Sequence, residues 1–247
     1  MCHTQDYCQT CVEKTGGSCC TWPYPYPTID DLRLMSLVLS EEEILDSLDL
    51  LPVSDKFLEE IQNGERNKDD LLLTVIDEDD ERHKIFLKKI PDEKFGERCH
   101  FLEDGKGCKL GAFRPVCCRI YPFVYQTDVY AKYGCRLILD DECTAYHEGL
   151  DVHTALTYLN TNYQRVLTEW TLYAASTKEH GKFISIFSDG ANLIDDFIPQ
   201  IVRHAIETKD RCRFAQIAFE GVDTSYEFRT LDDAVHRLAK EYLTGNK

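Results

Sequence analysis

Residues 98–123 read RCHFLEDGKGCKLGAFRPVCCRIYPF, and the fold turns on this stretch. It carries Cys99, Cys108, Cys117 and Cys118 among glycine, proline and charged residues, with neither a strand period nor a helix period. A segment this poor in regular signals is held by something other than its backbone, and its thiols are the candidates. Residues 1–27 form a second such segment, with CQTC at 8–11, GGSCC at 16–20 and the proline-rich WPYPYP at 22–27. Of the 12 cysteines, 11 fall within the first 143 residues, Cys2, Cys135 and Cys143 included. Only Cys212 lies beyond.

Regular elements are readable around these segments. Thr28, with Asp31 three residues on, predicts the start of a helix whose stripe is Ile29, Leu32, Met35 and Leu39. Ser40 with Glu43 predicts a second, running through Ile44, Leu45 and Leu48, and a third is expected from Ser54 to Ile61. LLLTVI (71–76) and KIFLKKI (84–90) read as a β-hairpin around the acidic DEDDERH. From about residue 150 the texture is helical. Val152, Leu156, Leu159, Tyr163, Val166, Leu167 and Trp170 form one stripe over 151–176, similar patterns fill 191–207 and 231–243, and 213–219 is β-like. The expectation is a mainly helical α+β protein. Residues 1–148 form a cysteine-cluster zinc- or iron-binding part with a small hairpin, and 149–247 a helical region with no readable role.

Composition narrows the function. Hydrophobic residues at 43% suffice for a core, so no disulfide framework is needed in place of one. Against 28 Lys and Arg stand 44 Asp and Glu, a net charge of −16 that disfavours nucleic acid. No apolar run approaches the roughly 20 residues of a membrane span. MCHTQDYCQTC lacks the basic and then apolar order of a secretory signal. The expectation is a cytoplasmic protein without membrane contact, with a protein partner left open.

Cysteines in a reducing compartment, set in loops, read as metal ligands. Cys8 and Cys11 form a CxxC knuckle, with no strand ahead of it to suggest a thioredoxin-type motif. Cys99, Cys108 and Cys118 are spaced by eight and nine residues, and Cys135 and Cys143 follow. A four-cysteine zinc site usually pairs two knuckles, whereas ligands this dispersed suit an iron–sulfur cluster, which is the favoured cofactor over zinc. In the pairs Cys19-Cys20 and Cys117-Cys118 neighbouring side chains diverge, so either one member of each binds while the other is buried, or the two serve different centres. Residues 94–136 hold eight basic against four acidic side chains, a local surplus suited to an anionic thiolate centre. His3, His100, His147 and His153 lie near cysteines as alternative ligands. Pro115 and Pro122 are expected to fix turns around Cys118, with Tyr121 and Phe123 walling the centre from water. No phosphate loop, dinucleotide fingerprint or Ser-His-Asp order is present. Whether the chain is an enzyme stays open.

CQTC, GGSCC, CHFLEDGKGCKL (99–110) and RPVCCRIYPF (114–123) together resemble the YkgJ-type cysteine-cluster family of zinc- or iron-chelating proteins. The resemblance covers about residues 8–143. It implies ligands at Cys8, Cys11, Cys20, Cys99, Cys108 and Cys118, with Cys19, Cys135 and Cys143 as further candidates. Two features depart from the pattern: seven residues separate Cys11 from Cys19, and Cys117 is an extra thiol. The implied function is a metal centre that is structural or serves electron or metal transfer. The alternative is a cluster-dependent modifying enzyme, because flagellin lysine N-methylases are similar in these motifs.

Overall fold

A computed structural model describes residues 25–64, 68–103, 107–126, 136–139, 143, 149–158, 161–190 and 193–215. The protein is mixed α+β and mainly helical, with small antiparallel sheets. The capping signals set the first helices. Helix α1 (Ile29–Met35) begins where Thr28 donates both its N–H and its Oγ1 hydroxyl to Asp31 Oδ2, each at 2.8 Å. In α2 (Glu41–Asp46) Ser40 Oγ accepts from Glu43 N at 3.2 Å while Glu43 Oε2 accepts from Ser40 N at 2.9 Å. Helix α3 (Asp55–Gln62) is capped by Ser54, whose hydroxyl accepts from Phe57 N. All seven residues of α1 are buried, its three charges included.

Leu48 does not extend α2. It opens β1 (Leu48–Pro52), which pairs antiparallel with β3 (Arg82–Leu87), Leu48 opposite Leu87. The expected hairpin is present but shorter. Residues 68–73 form a 3-10 helix, Thr74 Oγ1 donating to Leu71 O, so β2 is only Thr74–Ile76. Sheet order is β1-β3-β2. Asp77 Oδ1 turns the acidic loop by accepting from Asp79 N and Glu81 N at 2.9 and 2.8 Å. The expected strand 84–90 breaks at Lys88, whose N–H donates to Ser47 O, and β4 (Lys89–Asp92) pairs instead with β5 (Gly96–Cys99). A further hairpin joins β6 (Leu102–Glu103) to β7 (Gly107–Cys108). Helix α4 (Val116–Ile120) follows Pro115, and β8 (Phe123–Gln126) pairs with β9 (Arg136–Leu139).

The expected continuous helix over 151–176 is two. Helix α5 (Val152–Tyr158) stops before Asn162, whose side chain accepts from Arg165 N at 2.9 Å and starts the 27-residue α6 (Tyr163–Asp189). Helix α7 (Phe197–Glu207) bears out the pattern over 191–207. Residues 213–215 turn and enter a helix instead of a strand; 216–247, with the helix expected at 231–243, lie outside the described residues. The main core takes Ile29, Leu32, Ile85 and Phe101 from one side of residue 148 and Ile184, Phe197, Ile201 and Val202 from the other. Position 148 therefore does not divide the packing. No helix among the described residues is long and apolar enough to cross a membrane.

Two predictions concern α6. Gly181 lies against the 3-10 helix: a Cβ there would stand 2.9 Å from Leu72 Cβ and 3.3 Å from Leu72 O. Gly181→Ala is expected to destabilise by about 1 kcal/mol, overpacking of about 1–3 kcal/mol exceeding the roughly 1 kcal/mol helix preference of alanine. A rise in the urea midpoint would contradict this packing.

His180 is 1% exposed, and neither ring nitrogen meets a hydrogen-bond partner among the described residues. Burial, with a smaller push from the Lys84 charge, lowers its pKa to about 3. The unfolded chain therefore binds protons that the folded one refuses between about pH 3 and 6.5. The stabilisation is complete above 6.5 and is lost as pH falls. Asp31 acts oppositely over the lower part of this range. Burial raises its pKa to about 6, against the Arg119 charge and the Thr28 and Val116 hydrogen bonds, so its stabilisation disappears as pH rises from about 4 to 6. Comparing wild type with His180→Leu cancels Asp31. Their unfolding free energies should diverge by about 1.4 kcal/mol per pH unit between 6 and 5, wild type losing ground. A difference independent of pH would exclude the buried neutral imidazole.

Candidate metal centre

Three short elements bring three cysteines to one cavity. Cys99 ends β5 opposite Lys89, Cys108 ends β7 opposite Leu102, and Cys118 sits in the middle of α4. All three line a cavity of about 30 Å³, together with Pro25, Arg114 and Pro115 and an apolar wall that includes Leu87. That volume exceeds the roughly 10–15 Å³ that one water needs, so an ion fits. The turns are local. Gly107 has φ 84°, a conformation glycine adopts without strain, and Lys109 N donates to Phe101 O at 2.7 Å, closing the β6–β7 hairpin.

The sulfurs feel one another. Cys118 is pushed well above the usual thiol range, first by its hydrogen bond with Cys117, then by burial and by the neighbouring Cys117, Cys99 and Cys108. Thiols that resist joint ionisation in this way are a donor set that a cation would deprotonate together. The donor chemistry thus suits a thiophilic metal, and binding one ion would draw the three sulfurs closer together than they stand here. Cys117 itself does not line the cavity: its Sγ is 4.0 Å from Cys118 Sγ and donates to Tyr26 O at 3.6 Å. The expected divergence of adjacent side chains does not hold here: the two sulfurs stay in contact, although only Cys118 lines the cavity.

Cys143 is buried but does not line the cavity. Cys212 is remote in role as well as sequence. Its Sγ donates to Asp30 O at 3.4 Å, and burial, with the Asp30 charge, pushes its thiol up to about 12. Cys8, Cys11, Cys19, Cys20 and Cys135 lie outside the described residues, as do His3 and His147. The imidazole of His100 packs edge-on to Phe101 and that of His153 is exposed on α5; neither lines the cavity. Phe123 is no wall of the centre either, because it packs with Leu137, Leu139 and Val166.

Three of the eight basic residues are committed elsewhere. Arg98 pairs with Asp92 at 3.2 Å, Lys109 with Glu43 at 3.7 Å, and Arg119 with Glu169 at 3.1 Å. Among the described residues Arg114 is the cation at the cavity, its Nε donating to Gly111 O at 2.8 Å. Among the described residues, the group of three whose ligand atoms lie within 4.8 Å of one another is instead Asp77, Glu81 and His83 in the β2–β3 turn. There the Asp77 carboxylate already serves two backbone N–H groups, so the turn accounts for the cluster.

Two residues escaped the sequence reading. Asp31 was legible only as a helix-capping residue, yet its Oδ1 accepts from Val116 N at 2.7 Å and so reaches the helix of Cys118. Arg33, in a stretch with no other mark, is fully buried in an ion network with Asp30 and Glu179. Compared with protein-family models, with curated proteins and with solved structures, the chain matches none.

Proposed function

We propose that the chain is a cytoplasmic cysteine-cluster protein of YkgJ type whose centre holds an iron–sulfur cluster or zinc. The observation that carries the reading is the convergence of Cys99, Cys108 and Cys118, from three separate elements, on one ion-sized cavity. Those three would hold the metal, with Cys8, Cys11, Cys19, Cys20, Cys135 and Cys143 as the further donors that spacing and resemblance suggest. The group would supply either a crosslink between loops too short to pack by themselves or a site for electron or metal transfer. The dispersion of the ligands favours iron–sulfur, since a single CxxC knuckle is half of a usual zinc site. Anaerobic purification followed by metal and sulfide analysis tests the proposal. Iron with acid-labile sulfide and visible charge-transfer absorption supports the cluster, and stoichiometric zinc in a colourless protein supports zinc. Protein free of both, and unable to take up either, would end it.

A further inference from the structure

We propose that Asp31 is the positioning residue of the cysteine-lined cavity, a buried carboxylate that holds the helix of Cys118 against α1. The inference rests on the cavity being a metal centre. Helix α4 has only five residues, too few to be stable by its own hydrogen bonds, and its first N–H groups have no partner within the helix. Val116 N is one of these, two positions before Cys118. It donates to Asp31 Oδ1 at 2.7 Å, from an acid 85 residues away in sequence and 0% exposed.

The carboxylate cannot adapt. Its Oδ2 accepts from Thr28 N and Thr28 Oγ1, and Thr28 Oγ1 in turn receives the Ser176 hydroxyl of α6 at 2.8 Å. Asp31 is thereby aimed by two helices before it reaches the third. On the other side of Cys118, Arg119 Nε donates to Glu169 Oε2 at 3.1 Å, and Glu169 also receives Arg165. Cys118 thus lies between two tethers. Metal–sulfur bonds are specified to a few tenths of an ångström near 2.3 Å, so the group that sets the helix position sets affinity. Partners one step removed from metal ligands typically contribute 10–100-fold. Capping α1 uses only Oδ2; the bond to Val116 adds nothing to that helix.

The test is anaerobic cobalt(II) titration of metal-stripped full-length protein, alongside thermal unfolding. Asp31→Asn offers one carbonyl oxygen, so it cannot serve both Val116 and Thr28. Val116→Pro deletes the N–H that Asp31 accepts, at a first helical position where proline is tolerated, and Val116→Ala, which trims the same buried side chain but keeps the N–H, is its packing control. Thr28→Val keeps the Val116 bond and loosens α1. Asp31→Asn and Val116→Pro are expected to weaken cobalt binding at least tenfold and to alter the thiolate-to-cobalt charge-transfer spectrum. Thr28→Val should stay within about threefold of wild type even where its melting temperature falls as far. Wild-type affinity and spectrum in Val116→Pro, or equal cobalt affinity in Asp31→Asn and Thr28→Val, would overturn the role of Asp31 alone. A wild-type chain that takes up neither cobalt nor, on anaerobic reconstitution with iron and sulfide, a cluster overturns the metal centre and this role with it.

Discussion

Cys118→Ser is expected to strip the centre of its metal and leave a protein no more stable than the metal-free wild type. Cys118 lies in the wall of the cavity with Cys99 and Cys108, and its neighbours already disfavour its ionisation in the absence of a cation. A serine hydroxyl does not ionise near neutral pH and is a poor ligand for soft metals, so the substitution removes a donor without leaving a void. Structural metal sites contribute an apparent binding free energy of about 10–16 kcal/mol, and even part of that rivals the whole stability of a domain. Cys99→Ser should behave alike. Cys212→Ser should keep both metal and stability, because its thiol donates to Asp30 O and accepts from the Phe214 and Ala215 backbone, away from the cavity, and a serine hydroxyl can do the same. Metal content per chain and thermal unfolding with and without chelator, run on the three variants, decide the matter. Full metal occupancy in Cys118→Ser would remove it from the ligand set, and metal loss in Cys212→Ser would place the centre elsewhere.

Arg33→Ala should be the most damaging change away from the cysteine-lined cavity, at about 3–5 kcal/mol. Its Nη1 pairs with Asp30 Oδ1 at 2.8 Å, its Nη2 with Glu179 Oε1 at 2.6 Å, and its Nε donates to Thr208 Oγ1 at 2.9 Å. Arg213 completes the network on the other oxygens of the same two carboxylates. Asp30 and Arg33 are both 0% exposed, so truncating the arginine leaves a buried carboxylate with only a half-exposed partner. Arg213→Ala should cost less, since its side chain is 35% exposed and water replaces part of what it supplies. Urea unfolding of both variants checks the order, and Arg213→Ala costing more than Arg33→Ala would refute it. The network also shapes the acid response. Hydrogen bonding by Arg33, and then by Arg213, holds Glu179 down to about 2. That stabilisation is present above the ordinary carboxylate pKa and is lost as pH falls towards 2; in Arg33→Ala most of the loss should vanish.

The ligand candidates and the capping residues were legible because each announces itself within a few positions. Thr28, Ser40 and Ser54 start helices in the structure as their side chains predict, and the acidic loop after Ile76 turns a hairpin. Element lengths were not legible. Leu48 reads as the next helical apolar residue, but pairing with Leu87 offers it a strand partner that no local pattern reveals. The stripe from Val152 to Trp170 keeps helical spacing across a break, because both helices face the same cluster of Phe123, Leu137 and Leu139.

The amino-acid order by itself determined that this is a mainly helical α+β chain, whereas residues 98–123, which carry no readable period, fold as short strands and a five-residue helix. The helical class follows from short-range sterics, capping and period. Only the tertiary structure decided that Cys118, not Cys117, faces the cavity, that Asp31 reaches across 85 residues to Val116, and that an unremarkable Arg33 is a buried hub. Those are contacts between elements remote in sequence. Their energies depend on burial and distance, and neither exists until the chain has packed.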